Sequence, residues 1–305
     1  GRAGIVATEL ATNIVRHART GEILVQSITD GLHAEVEVLA VDRGPGMADL
    51  EACMRDGYST GGTAGQGLGA VSRLSGTFDA YSHPQHGTVV MSRIERDAPE
   101  RPDARRAKAP RFEFGVVNLA VEAEIECGDT WRISDRGSRI TLMVADGLGH
   151  GPLAAAAAQS AASAFAERPA EAPAAALTQM HRILSGSRGA AVACAELRPQ
   201  DLKIDYAGVG NISGAVVAAE RSRGMVSHNG TLGVKLLRNQ QFEYEWPKGS
   251  LVVMHSDGLS ARWNLAVYPG LHLHHHPGVI AGVLYRDFVR RRDDATVVVA
   301  SFRHD

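Results

Sequence analysis

Several features that would assign a chain to a specialised class are scarce in this 305-residue sequence. Cysteine occurs only at Cys53, Cys127 and Cys194, without a Cys-x-x-Cys pair, which excludes a disulfide scaffold and favours a reducing, cytoplasmic setting. The formal net charge of −2 gives no electrostatic reason to bind nucleic acid or an anionic membrane. No apolar run reaches the roughly 18 residues that span a bilayer. The chain opens on Gly1 instead of Met, and we expect its natural N-terminus to lie upstream.

The length and composition predict about two soluble domains. Hydrophobic residues make up 44% and charged residues 22% of the chain, which is ordinary for globular proteins. Residues 97–110 are rich in Pro, Arg, Asp and Ala and have no apolar period, so they are predicted to form a linker. The predicted domains are therefore residues 1–96 and 111–305. We expect the second domain to fold and act without the first.

The strongest chemical pattern in the second half is a set of acids at the ends of apolar strands. An apolar run from Ile140 ends in Asp146-Gly-Leu-Gly-His-Gly151, and an alanine-rich helix follows. Further acids occur in Gly128-Asp129, Ser256-Asp-Gly258 and Asp293-Asp294. Asp-Gly pairs also favour simple turns, which is the alternative interpretation. Several strand-edge acids that converge would repel one another without a cation, and hard oxygen ligands suit Mg²⁺ or Mn²⁺. We therefore interpret the set as a metal site.

These motifs, in this order, resemble those of the metal-dependent protein phosphatases (PPM), and in particular the bacterial SpoIIE/RsbX-type branch. The resemblance covers residue 111 to the end of the chain and implies two Mn²⁺ or Mg²⁺ ions held between two packed sheets. The metal ligands that it implies are Asp129, Asp146, Gly147 (through its carbonyl), Asp257 and Asp293. Asp146 is expected to bridge the two ions and is the catalytic residue of this half. Asp294 matches a position that is often Asn in relatives, so Asp293 is preferred to it as the metal ligand.

The strand and helix patterns of the second half agree with an antiparallel sandwich. Strands are predicted near residues 112–122, 130–134, 140–145, 189–197, 202–208, 212–219, 241–246, 250–256 and 295–302, and helices near 152–167 and 173–186. The fold class implied for the whole chain is α+β. It consists of an N-terminal α/β sandwich followed by a PPM-type α-β-β-α sandwich.

The first half opens with a helical pattern over residues 4–18. Val6, Leu10 and Ile14 recur at helical spacing, while Glu9 and Asn13 lie one turn apart on another face. A solvated polar face is the plain alternative. The neighbouring residues are mostly small or apolar, so these two polar side chains would be partly buried and would need a role.

Glycine-rich loops follow a predicted hairpin in the first half. Residues 22–29 and 33–41 are rich in β-branched residues, and an Asp-Gly turn separates them. The hairpin ends in Asp42-Arg-Gly-Pro-Gly46, and Gly65-Gln-Gly-Leu-Gly69 opens a helix predicted over residues 68–74. Glycines before a helix expose amide groups that can hold phosphates. The loop lacks the Gly-Lys-Ser/Thr of a P-loop, and a lone glycine-rich loop is weak evidence.

In combination, these segments and Gly87-Thr88 resemble the boxes of the GHKL (Bergerat-type) ATP-binding fold over residues 1–94. The loop at 57–60 and helix 68–74 look most like the small RsbT-type serine kinases that phosphorylate STAS-domain proteins. The residues implied to bind ATP and its Mg²⁺ are Asn13, Asp42, Gly44, Gly46, Gly65, Gly67, Gly69 and Thr88. Asn13 would bind the Mg²⁺, Asp42 would accept from the adenine amino group, and Glu9 would be the catalytic base.

Relatives of the first half carry a strand and a helix before the helix with Glu9 and Asn13. We therefore describe this half as N-terminally truncated, with one flank exposed, which leaves open whether it folds independently and whether the chain forms a homodimer.

Two groups of histidines invite a functional interpretation. The run His272-Leu-His-His-His276 follows Tyr-Pro-Gly and has no neighbouring carboxylate or cysteine in the sequence, so a surface loop is favoured over a metal site. His150 lies beside the predicted metals and is equally suited to contacting a substrate phosphate or to lining the start of a helix.

The resemblances together imply a bifunctional signalling regulator. The first half would transfer phosphate from ATP to a protein serine or threonine, and the second would remove it. The expected partners are STAS-type regulators, such as an anti-sigma antagonist or a stressosome-like protein. The alternative is a phosphatase whose first half only binds nucleotide or a partner.

Overall fold

The structure, a computed structural model, describes residues 1–29, 34–54, 67–95, 111–122, 124–168, 171–219 and 221–303. The predicted linker, the turn of the first hairpin, the 57–60 loop and Gly65 lie outside these residues. No helix in the described ranges is long and apolar enough to cross a membrane.

The first half is one antiparallel sheet with helices on one face. In chain order, its described residues form α1 (Arg2–Asn13), β1 (Gly21–Thr29), β2 (Ala34–Asp42), α2 (Leu50–Met54), α3 (Gly67–Leu74), β3 (Thr77–His83) and β4 (Gly87–Glu95). The strand order is β1-β2-β4-β3. The helix predicted over residues 4–18 is confirmed in its extent, but only Arg2–Asn13 is α-helical, and Ile14–Ala18 continue it as a stretch of π-helix. The predicted apolar face is confirmed, since Val6, Leu10 and Ile14 are buried.

The second half is a sandwich of two sheets. Its described elements are β5 (Arg111–Leu119), β6 (Asp129–Asp135), β7 (Ile140–Gly147), α4 (Pro152–Glu167), α5 (Pro173–Ile183), β8 (Ala190–Arg198), β9 (Lys203–Val209), β10 (Ser213–Val217), β11 (Ser222–Met225), β12 (Ser227–His228), β13 (Gly230–Thr231), β14 (Lys235–Leu236), β15 (Phe242–Glu245), β16 (Leu251–His255), α6 (Leu271–His274), α7 (Pro277–Phe288) and β17 (Ala295–Arg303). One sheet has the order β11-β10-β16-β17-β5, and the other has β12-β9-β8-β7-β6, with β15 beside β9.

The predicted α-β-β-α sandwich is confirmed in this half. Side chains such as Val116, Val144 and Val252 fill the space between the sheets and are fully buried. The alanine-rich helices α4 and α5 cover the outer face of the β7–β8 sheet, where Ala158 and Leu177 are buried. The prediction of an all-antiparallel pattern is wrong at one place. The two residues of β12 pair with β9 in parallel, because the chain returns to that edge through β10 and β11.

The helix α7 lies between the two halves. Every residue from Pro277 to Arg286 is buried. One side of α7 packs on β5 and β17 of the sandwich, and the other packs on β2 and β4 of the first sheet. Val279 and Val283 share one apolar cluster with Leu39 and Val89 of the first half and Val299 of the second. The two halves therefore share an apolar core around α7. That residues 111–305 fold and act without the first half stays a prediction.

Polar contacts close the edges of this shared core. Arg93 and Glu37 form a buried ion pair at 2.7 Å, and Arg93 also donates to the carbonyl of Phe114 at 2.7 Å. At the far end, the Asp79 carboxylate accepts the backbone N–H of His276 at 2.6 Å and lies 3.1 Å from Nδ1 of His275. The surface-loop interpretation of the histidine run is wrong for these two residues. They join the halves, and the Nδ1 of His276 accepts from Gly278 at the start of α7.

Candidate functional sites

The first two predicted metal ligands are cross-strand neighbours. Asp129 begins β6 and Asp146 lies near the end of β7, and the register of the two strands places them directly opposite each other. Both therefore lie at one end of the same sheet. Gly147 follows, and a Cβ on it would overlap the backbone of Ala154 at the start of α4. Glycine is required there because the helix approaches the strand so closely.

Asp129 is held in place from the opposite sheet. Its side chain is buried, and its Oδ2 accepts from Oγ of Ser256 at 2.5 Å. Ser256 Oγ accepts in turn from the backbone N–H of Thr296 at 3.0 Å. Sequence reasoning placed Ser256 only as a neighbour of Asp257, whereas the structure makes it the link between the two sheets at this end.

Asp257 comes from the loop after β16, and an unpredicted residue positions it. Nδ2 of Asn211 donates to Oδ2 of Asp257 at 2.7 Å. Asn211 is also close enough to Asp146 to lower the pKa of that carboxyl. It therefore lies between acids of the two sheets. The only sequence signal was its place after Gly210, whose positive φ of 96° turns the chain from β9 towards β10.

Asp293 and Asp294 are adjacent but have different surroundings. Asp294 is buried, and its two oxygens accept the backbone N–H groups of Val121 and Gly128, each at 2.8 Å. Both oxygens therefore hold the loop that precedes Asp129. Asp293 is half-buried and lies within electrostatic reach of Asp257. Asp294 is thus engaged by backbone N–H groups, while the role of Asp293 as a metal ligand stays a prediction.

The pKa values of these carboxylates are raised because the groups are buried and lie near one another. Burial raises the pKa of Asp146 to about 8, and the charges of Asp129, Asp257 and Asp293 add to the effect. Burial likewise raises the pKa of Asp129 to about 7, against the hydrogen bond from Ser256. Burial is the main cause of a raised pKa at Asp293 as well, with Asp257 second among the raising causes. The site thus carries more negative charge than its protein groups can neutralise.

The donor set fits hard divalent cations. Among the residues that the structure describes, no three His, Cys, Asp or Glu side chains stand close enough to enclose an ion as they are placed. The fit depends instead on chemistry, because Asp146 lies within electrostatic reach of Asp129, Asp257 and Asp293, and the four come from both sheets. Carboxylate oxygens of this kind suit Mg²⁺ and Mn²⁺, whose charge would offset the repulsion between them.

A histidine and an open cleft flank the acids. Nδ1 of His150, from the Asp-Gly-Leu-Gly-His-Gly turn, lies 2.7 Å from Oε1 of Glu124, and the His150 side chain is 62% exposed. A cleft of about 450 Å³ opens on the other side, lined by Asn211, His255 and Trp263 together with small residues of β10 and β11. Asn211, which lines this cleft, also donates to Asp257, so the cleft lies beside one of the acids.

In the first half, the structure brings together Asp42, Gly44 and Thr88. Oδ1 of Asp42 accepts from the backbone N–H of Gly44 at 2.7 Å and from that of Thr88 at 3.2 Å. Burial raises the pKa of Asp42, although these bonds oppose the rise. Gly46 has a positive φ of 73° and packs on the carbonyl of His83, which favours glycine there. The carboxylate is thus fixed at the end of β2, as predicted.

A second group is formed by Asn13 and the start of α3. A Cβ on Gly67 would lie 3.6 Å from Nδ2 of Asn13, so the glycine leaves open the space beside this side chain. Gly69 lies further inside α3, and Gly65 lies outside the described residues. Glu9 is half-buried one turn before Asn13 on α1. The roles of these residues in binding ATP stay predictions.

The sandwich with carboxylates at the strand ends defines the second half as a PP2C-type serine/threonine phosphatase fold. Residues 136–303 match the family model of "Stage II sporulation protein E (SpoIIE)". That segment makes up more than half of the chain, so the chain belongs to the SpoIIE family.

Solved structures agree with this assignment. A chain from "The bacterial stressosome: a modular system that has been adapted to control secondary messenger signaling" is 29% identical, with a TM-score of 0.58 over 62% of this chain and 99% of that chain. RsbX, solved "in complex with magnesium", is 21% identical, with a TM-score of 0.56 over 63% of this chain and 95% of that one. The second likeness shows the fold alone.

The first half has a different relative. The serine/threonine-protein kinase RsbT of Bacillus subtilis (strain 168) is 36% identical over 85 residues, which is 28% of this chain. The match spans 64% of the length of RsbT. The chain therefore joins an RsbT-like segment to a SpoIIE-type phosphatase domain.

Proposed function

We propose that the second half is a metal-dependent phosphatase for phosphoserine and phosphothreonine in proteins. The observation that carries the proposal is the convergence of Asp129, Asp146, Asp257 and Asp293 from two sheets, with the pKa of Asp146 raised by burial and by the other three carboxylates. These aspartates, with the Gly147 carbonyl, would hold two Mn²⁺ or Mg²⁺ ions. When bound, such ions activate water and neutralise phosphoryl oxygens.

Residues of the chain itself would prepare this site for the reaction. The hydrogen bond from Asn211 orients Asp257, and the bond from Ser256 fixes Asp129. His150, oriented by Glu124, is placed to contact the phosphate or to donate a proton to the leaving oxygen of the substrate. The cleft beside Asn211 would accept the polypeptide around the phosphorylated residue.

The first half, on this proposal, is an ATP-dependent serine/threonine kinase. Asp42 would accept from adenine, Asn13 would hold the Mg²⁺ on the phosphates, and Glu9 would polarise the attacking hydroxyl. The identity with RsbT and the pairing of Asn13 with Gly67 support it. If the first half were only a nucleotide-binding or partner-binding module, no acid would be needed at position 9, and the half-buried Glu9 therefore favours the kinase.

The proposed substrates of both halves are STAS-type regulatory proteins, in the cytoplasm. The support is that one chain combines a segment like RsbT with a domain like a stressosome-related chain and RsbX. Opposed activities on one chain act most simply on one partner.

The phosphatase proposal is tested by Asp146→Asn. This change keeps the shape of the side chain but removes the charge that would be shared between two ions about 3.5–4 Å apart. We expect phosphate release with Mn²⁺ to fall at least ~10²-fold. The melting temperature of the metal-free protein should not fall, because Asn has the shape of the aspartic acid and adds no charge to the buried site. Near-normal turnover at saturating Mn²⁺ would refute the assignment, and Asp135→Asn, in an exposed turn at the other end of β6, is the matched control.

A further inference from the structure

The last turn of α7 contacts the loop that carries the proposed adenine acceptor. Arg286 is 3% exposed, and its Nη1 donates to the backbone carbonyl of Asp42 at 3.2 Å. In the opposite direction, Nη2 of Arg43 donates to the backbone carbonyl of Arg286. Asp287 accepts from the Arg286 guanidinium at 2.7 Å and lies 3.6 Å from Nε of Arg43. These reciprocal contacts fix the loop after β2 to the end of a helix in the phosphatase half.

The chain just after α7 contacts the loop that carries a proposed metal ligand. The backbone N–H of Arg290 donates to the carbonyl of Gly258 at 2.8 Å, and that of Ser260 donates to the carbonyl of Phe288 at 2.9 Å. Gly258 directly follows Asp257. Two backbone hydrogen bonds therefore join the end of α7 to the Asp257 loop.

The same loop also packs on the entry to β17. A Cβ on Gly258 would overlap the carbonyl of Asp294, so these backbones touch without an intervening side chain. Asp293 lies immediately before that contact. Two proposed ligands, Asp257 and Asp293, thus belong to one packed unit with the end of α7. Arg286 contacts the backbone of Asp42 and thereby connects this unit to it.

We propose that nucleotide binding at Asp42 and metal binding at Asp257 and Asp293 are energetically coupled through Arg286. The inference rests on the functions proposed above for both halves. A nucleotide that hydrogen-bonds Asp42 would hold its loop in one position, and would thereby hold Arg286 and the last turn of α7. The Asp257 loop would then be more ordered and better placed for metal. Linkage requires the reverse effect to be equally large, and such couplings are commonly about fivefold or more.

Hydrogen exchange in the full chain tests the transmission without relying on turnover. Exchange is compared at constant Mg²⁺ with and without a non-hydrolysable ATP analogue, whose binding is measured by calorimetry on the same samples. We expect the amides of Ser260 and Arg290 to exchange at least about fivefold more slowly with the analogue bound. The Mn²⁺ concentration that gives half-maximal phosphatase activity should fall by a similar factor.

Matched variants locate the coupling. Arg286→Met should remove the slowing at saturating analogue. Arg43→Met should do the same, and since the Arg43 side chain is 60% exposed it serves if Arg286→Met does not fold. Tyr285→Phe should retain the slowing, because it breaks a bond of α7 to Glu22 at 2.7 Å without touching the Asp42 loop.

The possible failures are distinguishable. If the analogue binds and the two amides are unaffected, the coupling is refuted while the nucleotide site stands. If the analogue does not bind, the nucleotide site and the coupling are both refuted. If Arg286→Met and Arg43→Met keep the full slowing, Arg286 does not carry it.

Discussion

The aspartates at the strand ends of the sandwich differ in their surroundings. Asp146 and Asp129 lie side by side at the strand ends with their pKa values raised, chiefly by burial. Asp294, the most buried acid of the group, instead uses both oxygens to hold backbone N–H groups. Acids with the same place in the sequence pattern thus differ in role. Asp129 and Asp146 have raised pKa values, whereas Asp294 holds the backbone of the loop before Asp129.

The stability of the metal-free protein should depend on pH through Asp146. The pKa of an aspartate is near 3.9 in an unfolded chain, whereas that of Asp146 in the folded protein is about 8. The folded state therefore holds an extra proton between about pH 4 and pH 8, and the stability from this group is lost as the pH rises through that window. Melting curves recorded with a chelator should show a falling midpoint from about pH 5 to pH 8.5. Equal slopes for Asp146→Asn and the wild type would contradict this.

The positions of the acids could be predicted from the sequence, but their supports could not. Asp146 and Asp257 follow apolar runs and Asp293 precedes one, and the β7 pattern placed Asp146 correctly at a strand end. The contacts of Asn211 with Asp257 and of Ser256 with Asp129 were not predicted, because the partners are distant along the chain. A hydrogen bond such as that between Ser256 and Asp129 joins residues 127 positions apart, and no local pattern records it.

At the scale of elements, the largest error was the omission of α7. Its sequence contains Gly278 and Gly282, which weaken a helix prediction, and it has no polar face. The structure explains both features. The helix is buried on two sides, and its glycines allow close approach, with Gly278 against Gly115 of β5 and Gly282 against Val89 of β4. Periodicity fails for a helix that two sheets enclose.

Adding a side chain at Gly282 should separate the halves. A Cβ there would lie 2.8 Å from Cγ1 of Val89 and 3.1 Å from Cδ2 of Leu39. We expect Gly282→Val to lower the free energy of unfolding by about 1–3 kcal/mol, measured by urea denaturation. The control is Gly4→Val in α1, another helical glycine, where an added Cβ would have no atom within 4 Å. Equal effects of the two substitutions would show that packing against the first sheet is unimportant.

At the scale of the whole molecule, the halves form one stack of layers. The sheet of the first half has α1 and α3 on one face and α7 on the other, and α7 lies in turn on the sandwich. Val38 and Leu39 are neighbours in β2 but belong to different apolar clusters, one on each face of that sheet. The two proposed activities are therefore physically joined.

Removing the first half should destabilise the second. Residues 111–305 alone would expose the face of α7 that carries apolar side chains buried against Leu39 and Val89. We expect the melting temperature of this fragment to be more than about 5 °C below that of the full chain, and the fragment to bind a dye specific for apolar surface. Equal melting temperatures would indicate that the shared core contributes nothing.

The central claim is that the two halves act in opposite directions on one protein. The most direct measurement follows labelled phosphate from ATP onto a STAS-domain regulator, with Mg²⁺ and Mn²⁺ present. Label should accumulate on serine or threonine with the Asp146→Asn chain, because transfer continues while removal fails. Glu9→Gln added to Asp146→Asn should abolish the label while ATP still binds, whereas Asn13→Ala should abolish binding itself. If Asp146→Asn leaves the regulator unlabelled while the wild-type chain dephosphorylates the same protein, the first half is a binding module and the claim is wrong.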